Sequence, residues 1–213
     1  MCAYGMGRNV VRVALDLLRS DGYVTRLQGR GTLVVSRRAV HDLASSKGIG
    51  VTYRGGGQRV ITRFRSVSTE PAPPTVAVKL GLEHGAPCFV ADYETLIDRD
   101  PYAVATSYLA GDAVADVFSG DLDGDWYGDW FDVLAALGVS TGRLDVQVEA
   151  TAADEAVAEL LSVPVATPLL RFERLLHDDV GDPIDFGFSR CRSDRIVLRA
   201  GRPDAEVGMI PEA

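Results

Sequence analysis

The residues best equipped for chemistry stand near the front of the chain, and they are hydrogen-bond donors rather than nucleophiles. Arg8 and Arg12 lie four apart on an apolar-periodic stretch, with Asn9 and Val10 between them. Arg26, Gln28 and Arg30 follow, interleaved with Gly29 and Gly31 in "RLQGRG". Guanidinium groups bond phosphate oxygens and the paired acceptors of guanine, and glycines let backbone approach phosphate closely. The charge layout agrees. Residues 1–41 hold seven arginines against two acids, a net +5, while the remainder holds 15 basic and 28 acidic residues, a net −13. A basic front on an acidic body suits a small surface that meets a polyanion while the body does something else.

Other chemistry finds less support. No G-x-S-x-G or Ser/His/Asp pattern marks a nucleophile. "YRGGGQ" (53–58) lacks the Lys-Ser/Thr end of a phosphate loop and reads as a flexible connector. "DLDGDWYGD" (121–129) alternates carboxylates but lacks the sixth-position glycine and closing glutamate of a calcium loop, so it reads as a solvated acidic loop. His41, His84 and His177 have no neighbours at ligand spacing and read as surface histidines. Cys2, Cys88 and Cys191 are odd in number and far apart, which fits neither a disulfide framework nor a zinc site and suits a reducing cytoplasm. Neither metal nor cofactor is expected. No apolar run is long enough for a transmembrane helix, and the N-terminus lacks the layout of a secretory signal, so a cytoplasmic protein with no membrane partner is expected.

These groups need elements to hold them. Over residues 8–20, Val11, Ala14, Leu15 and Leu18 fall at i, i+3, i+4 and i+7, which predicts a helix with one buried face and Arg8, Arg12 and Arg19 roughly opposite. Gly22 stops it, and "YVTRL" and "TLVV" are two strands around a glycine turn. Residues 36–60 are polar and rich in glycine and serine, a linker leading into a loop. Beyond it, "RVITRFRSVS" reads as a strand, "PPTVAVKLGL" as a short helix, and "PCFVADYETLI" with "YAVATSYL" as a long hairpin turning at 98–101. "GDWFDVLAALG" is a helix ending at Gly138, with Trp126 and Trp130 assigned to the core. "DVQVEAT" alternates Val146 and Val148 against Gln147 and Glu149, and Thr151 with Asp154 forms a near capping box for the next helix. "PLLRFERLLHDD" and "IDFGFSRCRSDRIVLR" close the chain as a last hairpin. Strands that outnumber helices and follow one another as hairpins predict an α+β fold, an antiparallel sheet with packed helices.

The stretch "GMGRNVVRVALDLLRSDGYVTRLQGRGTLVV" resembles the recognition helix and wing of GntR-family bacterial transcription regulators, with Gly5, Arg8, Val11, Arg12, Ala14, Leu15, Leu18, Gly22, Val24, Gly29, Gly31, Thr32 and Val34 in register. The resemblance implies a winged helix–turn–helix on double-stranded operator DNA, with Arg8, Asn9, Val10, Arg12, Arg26, Gln28, Gly29, Arg30 and Gly31 as its contacts. Gly7 and Val10 stand where the family has serine and threonine, so two hydroxyl donors are absent. In the family a first helix and most of a second precede this point, so a partial head is expected over residues 1–36.

Residues from about 43 to 198 resemble the UTRA domain of the HutC-type branch. The resemblance is carried by "RFRSVSTEPAPPTVAVKLGLEHGAPCFVADYETLIDRDPYAVATSYL", by "AVAELLSV" followed by "PLLRFER", by the D-x-x-G-x-P-I-D turn at 178–185 and by the closing "RSDR". It implies a chorismate lyase-like fold, a small-molecule effector site and a homodimer. Tyr93 and Thr95 stand where many UTRA domains carry an R-x-R that binds phosphate, Ala105 replaces an acid, and Asp129 and Phe131 replace serine and tyrosine. Asp185 keeps its acidic character. An effector site of Tyr93, Thr95, Asp129, Phe131 and Asp185 is expected, taking a less anionic, partly apolar ligand and not a sugar phosphate. The expected organisation is a head over 1–36, a linker and loop over 37–57, an effector-binding and dimerisation domain over 58–200 and a tail over 201–213. The expected function is that of an effector-controlled repressor and not an enzyme. The alternatives are a truncated effector-binding and dimerisation protein without DNA binding and, less favoured, a chorismate lyase-like enzyme.

Overall fold

The computed structural model describes residues 7–20, 23–27, 31–34, 38–43, 45, 47–110 and 124–201. Its front is helix α1 (Arg8–Ser20) followed by a hairpin of β1 (Val24–Leu27) and β2 (Gly31–Val34), with Arg26 opposite Thr32. Gly31 has φ +95, in the region where only glycine sits without strain. The apolar face of α1 is not buried as its periodicity predicts. Val11, Leu15 and Leu18 are 42, 37 and 40% exposed, because among the described residues the helix packs chiefly on β1.

The stretch read as a linker carries two elements. β3 (Ala39–Asp42) pairs in parallel with the last strand, β11 (Ile196–Arg199), and α2 (Ile49–Gly55) follows. Composition hid them: β3 is only four residues long, and its pairing partner lies more than 150 residues away. "YRGGGQ" is likewise no flexible connector, since Tyr53 is a buried residue of α2.

The body is a seven-stranded antiparallel sheet. Its strands are β4 (Val60–Pro71), β5 (Pro87–Ile97), β6 (Asp100–Ala110), β7 (Asp125–Tyr127), β8 (Leu144–Ala152), β9 (Pro168–His177) and β10 (Pro183–Arg192), in the spatial order β7-β4-β5-β6-β10-β9-β8. The β5–β6 hairpin turns on Asp98 and Arg99, both at positive φ, and the Asp98 carboxylate accepts the Arg59 N–H at 2.9 Å to hold it there. Three seven-residue helices pack on this sheet. α4 (Trp130–Ala136) covers one face with a core of Phe89, Tyr93, Leu109, Val133, Leu134 and Leu176. α3 (Pro74–Leu80) and α5 (Glu155–Leu161) cover the other, on Cys88, Val90 and Phe186 and on Leu169. β5 is buried on both sides, so its apolar run is nearly continuous. This is the α+β architecture that the strand count predicts.

Two local expectations are corrected. Thr151 belongs to β8 and does not cap α5; Asp154 is the N-cap of α5, accepting Val157 N–H at 2.8 Å. The reciprocal capping box lies elsewhere, at Asp129 and Asp132 of α4. Trp130 is buried and Trp126 packs against the same core, as expected.

Candidate functional site

The two expected sites lie in separate parts of the fold. At the front, Arg8, Arg12 and Arg19 line one groove with Val11, Leu15, Arg26, Gly31 and Thr32, about 380 Å³ between α1 and the hairpin. The arginines therefore do not point away from the apolar face; they share the groove with it. Arg19 pairs with Asp16 at 3.0 Å and Arg12 bonds Asn9 at 3.3 Å. Among the described residues, Arg8, Arg12 and Arg26 have no carboxylate partner, so three charges converge unneutralised. Asn9 and Val10 are exposed on α1. Gln28, Gly29 and Arg30 lie outside the described residues.

In the body, a cavity of about 110 Å³ opens on the α4 face of the sheet. Strand alternation builds it. Tyr93 and Thr95 are two apart on β5, Ala103 and Ala105 on β6, and Phe172 and Arg174 on β9, so each pair shares a face. Asp129, Trp130 and Phe131 enter from the start of α4. Further wall comes from Tyr102, Leu144, Val146, Ser189 and Cys191 of the sheet, and from His41, Leu43, Ser45, Lys47, Gly48 and Ile49, which belong to the segment between hairpin and body.

Of the five expected effector residues, Tyr93, Thr95, Asp129 and Phe131 line this cavity. Asp185 does not. It is wholly buried behind Arg174, accepting Arg174 Nε–H at 2.8 Å and Trp130 Nε1–H at 3.2 Å. Arg174 is the residue that sequence reasoning missed. Its Nη2 also donates to Tyr93 Oη at 3.1 Å and to Ser107 Oγ, and Tyr93 stacks on Trp130 with centroids 4.9 Å apart. Strand parity was the available signal: Phe172, Arg174 and Leu176 alternate on the core side of β9.

Asp129 closes the cavity's other end. Its Oδ1 accepts Phe131 N–H at 3.0 Å and Asp132 N–H at 3.2 Å, and its Oδ2 accepts Gly50 N–H at 2.8 Å. Burial, with the neighbouring Asp132 charge, pushes the Asp129 carboxyl up to about 6. Beside it, Asp132 holds Arg54 of α2 at 3.1 Å. A Cβ at Gly48 or Gly50 would run into the Phe131 ring or the Asp129 carboxylate, so both positions need glycine for the segment to lie this close.

The histidines depart from the surface expectation. His41 is buried, its Nδ1 2.9 Å from Thr52 Oγ1, and burial lowers its pKa. His177 is buried against Arg143, and only His84 is exposed. The acidic stretch is partly structural: Asp125 pairs with Arg63 at 2.8 Å and Asp129 caps α4, while residues 121–123 lie outside the described residues. No group of three His, Cys, Asp or Glu among the described residues is placed to hold a metal ion. No helix among them is long and apolar enough to cross a membrane.

Residues 55–197 match the UTRA domain family, and residues 1–34 match the bacterial regulatory proteins of the gntR family. The chain is 27% identical to the HTH-type transcriptional regulator Rv0792c of Mycobacterium tuberculosis, over 97% of this chain and 77% of that protein. It is 23% identical to the probable fructoselysine utilization operon transcriptional repressor of Escherichia coli, over 92% of this chain and 79% of that one. The fold matches the crystal structure of PhnF from Mycobacterium smegmatis with a TM-score of 0.72, at 22% identity, over 95% of this chain and 88% of that one.

Proposed function

This chain belongs to the UTRA family and carries a GntR-type head in front of that domain, and from this premise we infer that it is a DNA-binding transcriptional regulator whose hold on its operator is controlled by a small molecule in the body's cavity. The relationships point to a regulator family rather than to an enzyme family. Arg8, Arg12 and Arg26 supply the donors of the head, with Asn9, Val10, Gln28, Gly29, Arg30 and Gly31 completing its contact surface. Tyr93, Thr95, Asp129 and Phe131 contact the effector, and Asp185 acts through Arg174. The chain works as a homodimer that sets two heads on paired half-sites and represses from there, in the cytoplasm.

One observation carries the regulatory part. The part of the cavity wall made by His41, Leu43, Ser45, Lys47, Gly48 and Ile49 lies on the segment between the hairpin and the sheet. A ligand that fills the cavity touches the segment that orients the head. It therefore binds one head position better than another, and by linkage it shifts DNA affinity by that difference, typically ~1–3 kcal/mol. The segment is clamped by the β3–β11 pairing, by Gly50 to Asp129, Arg54 to Asp132 and Tyr53 Oη to the Arg195 carbonyl at 3.0 Å, and by packing of Tyr53 and Ile49 on Val60, Ile97 and Tyr102.

The effector is not a sugar phosphate on this reading. Arg174, the arginine on the cavity wall, already pairs with a buried carboxylate. Fluorescence anisotropy with DNA from upstream of the protein's own coding sequence, against scrambled DNA at two salt concentrations, tests the function. Tight, salt-dependent and sequence-selective binding is expected. Equal affinity for both DNAs, or none for either, refutes it. In the same preparation, glucose 6-phosphate is expected to leave the melting temperature unchanged.

A further inference from the structure

We propose that the cavity's effector carries a single carboxylate on a small apolar body, and that Lys47 is the residue that reads this charge. The inference rests on the effector-cavity reading above and narrows its ligand class.

Four residues of the lining could bring charge to a ligand: His41, Lys47, Asp129 and Arg174. Three are accounted for within the fold. Arg174 pairs at 2.8 Å with Asp185, which is wholly buried and lies outside the lining. Asp129 spends both oxygens on the N–H groups of Gly50, Phe131 and Asp132. His41 is buried beside Thr52, and burial lowers its pKa, so the ring is uncharged at neutral pH. Lys47 differs from all three. It is exposed, and its amino group has no carboxylate partner among the described residues.

The fold holds that charge at the cavity. Lys47 N–H donates to Ser45 Oγ at 3.2 Å, and the next residue, Gly48, lies so close to α4 that a Cβ there would strike the Phe131 ring and the Asp129 carboxylate. Much of the remaining wall is apolar, with Ile49, Val146, Phe131 and Phe172 beside the stacked Tyr93 and Trp130 rings. The volume, about 110 Å³, suits a body of one small ring. A carboxylate beside an exposed lysine keeps part of its water, so its desolvation costs little while the apolar body gains by burial. An ammonium group would meet Lys47 and Arg174, with the Asp129 oxygens already occupied. A dianion would bring one charge more than Lys47 matches. Because Lys47 stands on the connecting segment, its ion pair ties the ligand to the chain that leads to the head.

One ring carrying four head groups tests this on the full chain: benzoate, benzyl alcohol, benzylamine and phenyl phosphate, titrated at neutral pH with thermal shift and tryptophan fluorescence as readouts. Benzoate is expected to bind most tightly. Lys47→Met keeps the stem and removes the charge; it is expected to melt with the parent, to bind benzoate ~fivefold more weakly and to bind benzyl alcohol unchanged. Lys47→Arg is expected to retain benzoate binding. Tighter binding of any other probe, no binding by any of the four, undiminished benzoate affinity in Lys47→Met, or an equal loss of benzyl alcohol overturns the proposal. A tighter-binding alcohol or amine leaves the cavity reading standing and removes only the charge assignment. DNA binding by the same preparation reports on the regulator reading separately, so either can fail alone.

Discussion

Replacing Asp129 by asparagine exposes the conflict built into the cavity's closed end. The carboxylate accepts three backbone N–H bonds, which favour its charged form, yet burial and Asp132 outweigh them and push it up to about 6 from its usual 3.8. The folded state thus holds this proton more tightly than the unfolded chain does. A group raised in this way contributes stability that is fully present below the unfolded value and is lost as the pH climbs through about 6. Between pH 7.5 and pH 5, the wild type gains about 1.4 kcal/mol from this one carboxyl. The amide that replaces it does not titrate and still serves as an N-cap, so Asp129→Asn gains nothing over the same interval. The assay is urea unfolding of both chains at the two pH values. The stability difference is expected to move toward the wild type by about 1.4 kcal/mol on acidification, whatever its size at pH 7.5. If the difference is the same at both pH values, Asp129 titrates near or below its ordinary value, the N–H donors outweigh burial, and the reasoning fails.

Three more outcomes follow from the geometry. Arg8→Ala should weaken operator binding by ~1–3 kcal/mol and relax preference at one base pair if Arg8 reads guanine, whereas an equal loss on all sequences in an anisotropy series makes it a phosphate contact. Asp185→Asn should cost about 3–5 kcal/mol in urea unfolding by stranding the Arg174 charge, and the paired change with Arg174→Met should cost clearly less. Gly50→Ala should lower stability by about 1–3 kcal/mol, because the new methyl meets the Asp129 carboxylate, and circular dichroism should show the sheet intact.

Legibility in the sequence followed the range of the interactions. The hairpins of the body were readable because alternation and turn residues act over a few positions: β5 and β6 follow from "PCFVADYETLI" and "YAVATSYL". Tyr93 and Thr95 were reached through the family's R-x-R pattern, and they share a face because they stand two apart on one strand. Asp129 and Phe131 were reached through a family pattern, and the cavity does contain them. The burial of His41 was invisible, since it depends on a four-residue strand that forms only against Ile196–Arg199.

By itself the sequence determined the periodicities, and with them the hairpins, the helices other than α2 and the placing of a basic front before an acidic body. Those are consequences of bond geometry and composition within short windows. Only the tertiary structure decided which buried charges cancel and that the connecting segment walls the cavity. Arg174 meets Asp185, and Gly50 meets Asp129 across 79 positions, through contacts whose energy depends on burial. Burial is a property of the packed sheet that no local stretch of residues carries.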